Sequence, residues 1–180
     1  MVRVIAATRD STEFSAALDS KVETIFMLTP NILNLKGQVD RAHKAGKKIF
    51  IHIDLAEGIG KDEYGIRFAK EQGVDGIIST RTNVIKTAKK EGLFTVQRFF
   101  LVDSQSVCTT IESAKASKTD VIEIMPGTVT KVIKRLGDEL GMPIVAGGLI
   151  ETTEEIDAAI SCGAVAVSTG KREFWGDCNE

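Results

Sequence analysis

Two stretches of this chain carry side chains able to handle protons or hold a polar ligand. In "IFIHIDLAEG" the two-residue period of a strand puts Phe50, His52 and Asp54 on one face, with Ile49, Ile51, Ile53 and Leu55 on the other. An imidazole and a carboxylate at that spacing can exchange protons or hydrogen-bond a hydroxylated ligand. In "DVIEIMPG" Glu123 shares a face with Val121 and Met125, opposite Ile122 and Ile124, and a carboxylate so placed needs a partner. "TVQRFF" sends Gln97 and Arg98 to opposite faces, and Gln97 is expected inside with Arg98 near the rim. Arg81, directly after "GIIST", offers a planar fork to a phosphate or to Glu123.

A second signal is an absence of side chains. "PIVAGGLIETTEE" is built like a buried strand yet places Gly147 and Gly148 just before a helix start. Glycine in a strand marks a bulge or a point where something must approach the backbone. "AVSTGKREFW" adds the hydroxyls of Ser168 and Thr169 and the bare backbone of Gly170, so the two stretches together would form a cradle for a phosphate. Thr152 with Glu155 makes a capping box for the helix after the first pair, and Glu154 adds charge to its first turn. An oxyanion is therefore expected on the other side. The plainer alternatives are glycines that serve only helix–strand packing, a self-satisfied His52–Asp54 network, and a structural ion pair at Glu123.

Such residues need a frame. Val- and Ile-rich runs begin at Val4, Thr24, Ile49, Asp75, Phe94, Asp120, Pro143 and Ala164. Between them lie helical segments with charged faces, such as "DEYGIRFAKEQG" and "VTKVIKRLGDEL". Several of these segments end in glycine, at Gly46, Gly73, Gly92, Gly141 and Gly163, where a helix commonly closes on a left-handed residue. Eight strands alternating with helices predict a parallel sheet closed into a small (β/α)₈ TIM-type barrel, one domain over residues 1–180. An open doubly wound sheet is the second choice, because barrels typically run to about 250 residues. In a barrel the strand seven and strand eight loops are neighbours, which brings the two halves of the cradle together.

Composition narrows the class. The chain has 180 residues, 43% hydrophobic and 27% charged, with a formal charge of -2, so no overall basic excess marks a nucleic-acid binder. Cys108, Cys162 and Cys178 are odd in number and widely spaced, which suits a reducing compartment and gives no metal motif. No apolar run is long enough for a membrane span, and the expected location is cytoplasmic.

In order and spacing, "IHIDL", "GIISTR", "GLFTVQRFFLVDS", "IEIMPG", "AGGLI" and "AVSTG" resemble the glycerol uptake operon antiterminator family, over nearly the whole chain. Gly170 departs from the small polar residue expected there. The resemblance implies a bacterial regulator rather than an enzyme. It would take glycerol 3-phosphate as effector, need no cofactor and act on the leader mRNA of a glycerol-metabolism operon. The phosphate would then meet Gly147, Gly148, Ser168 and Thr169, and the glycerol hydroxyls some of His52, Asp54, Gln97 and Glu123. For RNA, Lys131, Lys134 and Arg135, or else Lys86, Lys89 and Lys90, lie at helical spacing, though ordinary solvated helix faces look the same. Oligomeric state is left open. The rival reading is a barrel isomerase, aldolase or decarboxylase acting on a small phosphorylated metabolite, with His52, Asp54 and Glu123 as acid and base. No lysine lies within the strand runs to form a Schiff base, though Lys61 and Lys171 in the flanking loops keep that chemistry open.

Overall fold

β-Branched runs take the extended positions, and the glycines between them release the chain for the next turn of the fold. The computed structural model describes residues 4–176. Its strands are β1 (Val4–Thr8), β2 (Thr24–Met27), β3 (Lys48–His52), β4 (Gly76–Ser79), β5 (Phe94–Phe100), β6 (Val121–Met125), β7 (Ile144–Gly147) and β8 (Ala166–Thr169). All eight pair in parallel, in chain order, and β1 pairs with β8 to close the barrel. The expected (β/α)₈ barrel is the architecture found.

Around the strands run α1 (Ser11–Leu18), α2 (Leu35–Lys44), α3 (Glu63–Glu71), α4 (Thr82–Lys90), α5 (Ser104–Ser117), α6 (Thr130–Leu140) and α7 (Thr153–Ser161). Acidic or hydroxyl caps start several of them: Asp10, Asp62, Asp103 and Thr152 each accept main-chain N–H groups of their first turn. Glu155 completes the capping box on Thr152 as the sequence predicts. The five glycines expected after helices all have positive φ. Among the described residues, β8 is followed by a single 3₁₀ turn, Arg172–Phe174, where an eighth helix would stand. Trp175, 3% exposed, joins the core there and donates from Nε1 to Thr169 O at 2.9 Å. Short helices and this substitution let so short a chain close the ring.

The apolar side chains divide into an outer layer between strands and helices and an inner column of Ile5, Phe26, Phe50, Ile78, Val96, Val121, Val145 and Ala166. The inner column fixes parity: in β3 Phe50 and His52 face inward, and in β6 Val121 and Glu123 do. β3 ends at His52, however, and Ile53–Leu55 form a 3₁₀ turn. Asp54 therefore sits on a turn over the strand end rather than on the strand. Leu55, which the strand period places on the aliphatic face with Ile49, Ile51 and Ile53, is 54% exposed for the same reason. Cys108 and Cys162 are free thiols, and Cys178 lies outside the described residues.

Two glycines separate crowding from backbone conformation. A Cβ on Gly76 would lie 2.6 Å from the Phe50 ring and 2.6 Å from Phe94 O, whereas one on Gly46 would meet nothing within 4 Å. Gly76→Ala is expected to cost ~1–3 kcal/mol by overpacking the inner column. Gly46→Ala should cost only the left-handed penalty at φ +71°, ~1–2 kcal/mol. Urea denaturation checks both, and a harmless Gly76→Ala would show that the Phe50 layer is loosely packed.

Candidate functional site at the barrel mouth

Arg98 and Glu123 are direct neighbours in the β5–β6 register, and both side chains turn into the barrel. Arg98 Nε donates to Glu123 Oε2 at 2.6 Å, with side-chain exposures of 6% and 0%. The other carboxylate oxygen, Oε1, accepts from Ser168 Oγ at 2.6 Å. A buried carboxylate is thus satisfied from two strands, β5 and β8. The expected placement is reversed here: Arg98 is internal, and Gln97 points to the helices. Gln97 Nε2 donates to Thr82 Oγ1 at 3.2 Å, and its Oε1 accepts from Ser117 Oγ at 2.6 Å. Both side chains being polar, alternation alone could not choose between them. The neighbouring carboxylate decides, because leaving Glu123 without a cation is far costlier than burying an amide against two hydroxyls.

Asp54 closes the opposite side of the mouth. It accepts from Ser79 Oγ at 2.8 Å, Thr80 N at 2.7 Å and Thr80 Oγ1 at 3.0 Å. Burial pushes its carboxyl up, but these bonds and the nearby His52 together hold it below its usual value. Ser79 and Thr80 were not among the residues singled out from the sequence, although their place at the end of a strand, directly before an arginine, was available as a signal. Arg81 stays at the rim, its side chain 55% exposed, with Nε 3.8 Å from Asp54 Oδ1. It is not the partner of Glu123.

His52, between these groups, is 5% exposed, and neither ring nitrogen has a hydrogen-bond partner among the described residues. Asp54 Oδ2 lies 3.7 Å from its Nε2, beyond hydrogen-bond range. Burial, and then the Arg98 charge, push its pKa from 6.5 down to about 4, against the pull of Asp54. The ring is neutral at pH 7.

The glycine pair plays two separate parts. A Cβ on Gly147 would lie 2.5 Å from Ser168 Oγ and 2.7 Å from Glu123 Oε1. Its missing side chain makes room for the buried network. Gly148 (φ +73°) and Leu149 (φ +56°) are consecutive left-handed residues. Gly148 O accepts from Gly127 N at 3.0 Å, while the amides of Gly148 and Leu149 donate to no group among the described residues. Thr169 Oγ1 turns away from the barrel axis and accepts from Lys171 N at 3.1 Å. Gly170 packs beside Ala7 O and the Arg9 guanidinium. Around the mouth Phe100, Val102 and Leu149 are 57%, 85% and 70% exposed, an apolar rim that strand periodicity did not announce.

The basic faces are partly spoken for. Lys89 pairs with Asp120, Lys134 with Asp138 at 3.6 Å and Arg135 with Glu139 at 2.7 Å. Lys86, Lys90 and Lys131 are exposed. Two further cavities do not include the buried groups of the mouth. One of about 500 Å³ opens at the other end of the barrel over Phe26, Phe50, Phe94 and Val96. The other, about 270 Å³, lies outside the strands beside Thr8, Asn34 and Gln38. The first is apolar at its floor, and the second is lined by Arg9, Asp10 and Glu57 but does not include His52, Arg98 or Glu123.

Because His52 is neutral when folded but has a pKa near 6.5 when unfolded, the unfolded chain binds the extra proton between pH 6.5 and about 4. Stability from this group is full above pH 6.5 and is lost as pH falls to 4, by ~3 kcal/mol. The Asp54 contribution is lost only at lower pH, because its pKa is depressed. Denaturant melts of wild type and His52→Gln across this window should show a shallower pH slope in the variant. Equal slopes would mean that the ring is solvated.

The profile of a family described as glycerol-3-phosphate responsive antiterminator matches residues 4–175. An Escherichia coli protein, the uncharacterized YgcP, is 39% identical over 173 residues, 96% of this chain and 91% of that protein. The crystal structure of a glycerol uptake operon antiterminator regulatory protein from Listeria monocytogenes superposes with a TM-score of 0.92 at 34% identity, covering 96% of this chain and 94% of the other. An antiterminator-related protein from Thermotoga maritima gives a TM-score of 0.87 at 34% identity, over 97% and 98%. Aldolase barrels are similar in fold alone, for example at 14% identity with a TM-score of 0.73. With the family match spanning the barrel and the mouth residues alike, the chain belongs to the glycerol-3-phosphate responsive antiterminator family.

Proposed function

We infer that the protein is a sensor whose barrel mouth binds glycerol 3-phosphate without transforming it, and whose occupancy governs contact with the leader RNA of a glycerol-metabolism transcript. The observation that carries this reading is the state of the acid–base groups. Glu123 is held by Arg98 and Ser168, and Asp54 by Ser79 and Thr80. Carboxylates so engaged are poor general bases, and the one lysine in the described strands, Lys48, is exposed at the start of β3, at the end of the barrel away from the mouth. The mouth suits recognition better than turnover, so the isomerase, aldolase or decarboxylase alternative loses its catalytic pair.

The phosphate belongs at the turn after β7. The unengaged amides of Gly148 and Leu149 supply donors. Because Ser168 and Thr169 direct their hydroxyls elsewhere, main chain rather than side chain does most of this work, with Gly170 across the β8 loop. Arg81 adds charge from the rim. No cofactor is called for. The whole chain acts as one domain, in the cytoplasm where transcripts are made. For RNA, Lys131 with Lys134 and Arg135 on α6 is the preferred face, because Lys134 and Arg135 are held only by exposed i,i+4 pairs that are readily exchanged, whereas Lys89 of the competing group on α4 is tied to the half-buried Asp120 of another segment.

A gel-shift titration of the leader transcript with and without glycerol 3-phosphate tests the coupling. Affinity should change at least fivefold on adding the ligand, a modest allosteric coupling. It should weaken with salt and lose its ligand response in Gly148→Asp, whose carboxylate repels the phosphate. RNA binding indifferent to the ligand, or consumption of glycerol 3-phosphate by the protein, would refute the sensor reading.

A further inference from the structure

The geometry points to His52 as the group that reads the hydroxyl end of the ligand, so that the ligand enters polyol first and leaves its phosphate at the rim. This rests on the reading of the mouth as a site for glycerol 3-phosphate and assigns its direction and its selectivity.

His52 is buried inside the barrel with both ring nitrogens unpartnered. Buried polar groups without partners are rare, and such a group commonly meets a ligand or water. Its neighbours do not fill the need. Asp54 is engaged by Ser79 and Thr80 and stands 3.7 Å away. Arg98 is directed to Glu123 and, like the ring N–H, can only donate.

A neutral imidazole presents one donor and one acceptor. Phosphate oxygens at neutral pH chiefly accept, so they satisfy one nitrogen and leave the other stranded. A hydroxyl both donates and accepts, and two adjacent hydroxyls can serve both nitrogens. Burial agrees with this direction. Leu149, next to the phosphate donors, is 70% exposed, whereas His52 is 5% exposed. A dianion is better tolerated at the wet rim, and hydroxyls are far cheaper to bury. The Arg98 charge disfavours protonation of His52 and so preserves its two-way hydrogen bonding.

The test is calorimetric titration of wild type, His52→Phe and His52→Gln with glycerol 3-phosphate and with propyl phosphate, which keeps the phosphate and lacks both hydroxyls. Wild type should bind propyl phosphate at least about tenfold more weakly. In His52→Phe the two affinities should converge to within about twofold through loss of glycerol 3-phosphate binding. His52→Gln, whose amide also carries a donor and an acceptor, should keep part of the preference. Equal affinities in wild type, or a preference that survives in His52→Phe, would overturn the assignment while leaving phosphate binding intact. Failure of wild type to bind either ester would sink the phosphate reading and this inference together. Ring ¹⁵N signals in wild type give a check independent of any variant's folding, as the chain has 2 histidines. The His52 signals should move with glycerol 3-phosphate and far less with propyl phosphate; signals that ignore glycerol 3-phosphate would contradict the assignment.

Discussion

A guanidinium and a carboxylate buried side by side, Arg98 against Glu123, set the terms for everything at the mouth of this barrel. Removing either partner would strand a charge in a dry interior, a loss of several kcal/mol, so the remaining groups are arranged around keeping the pair. Ser168 turns inward to take the second carboxylate oxygen. Gly147 gives up its side chain because Ser168 and Glu123 occupy the space. Gln97 is sent outward to the Thr82 and Ser117 hydroxyls. The Arg98 charge helps to keep His52 neutral. A wholly apolar layer of the same volume could be as stable; what the ion pair adds is a rigid polar floor under an open mouth.

Much of the frame was legible from the residues. Aliphatic alternation located the eight strands and the inward parity of His52 and Glu123, since only one face of each run could meet the helices. The helix-ending glycines were equally plain, because few residues tolerate a left-handed backbone. The rest depended on contacts between distant segments. Gln97 and Arg98 were ambiguous until strand register placed Arg98 beside Glu123. Asp54 looked like a strand residue because nothing local announced the 3₁₀ turn after His52. The two glycines looked like one cradle, yet one clears space for a buried network and the other begins the left-handed turn. Thr169 follows the same parity logic as Arg98 and was misjudged for want of it: Ser168 faces in, so Thr169 must face out.

The mouth therefore has two levels with different chemistry. The buried level is a closed set of hydrogen bonds with one opening in it, the His52 ring. The rim carries main-chain donors, Arg81 and exposed apolar side chains, among them Phe100, Val102 and Leu149. A ligand bridging the levels would tie the β3 end to the turn after β7, on opposite sides of the ring. Such a bridge gives a small metabolite a means of ordering loops that a second partner could read, which is what a responsive regulator requires. The apolar cavity at the far end of the barrel takes no part in this arrangement.

The most direct measurement is a crystal structure of the protein with glycerol 3-phosphate. The account predicts ligand density in the mouth, with phosphate oxygens within hydrogen-bond distance of the Gly148 and Leu149 amides and the carbon chain running down to the imidazole. Density in the cleft beside Thr8 and Gln38, or in the apolar cavity over Phe94, with the mouth holding only solvent, would contradict it.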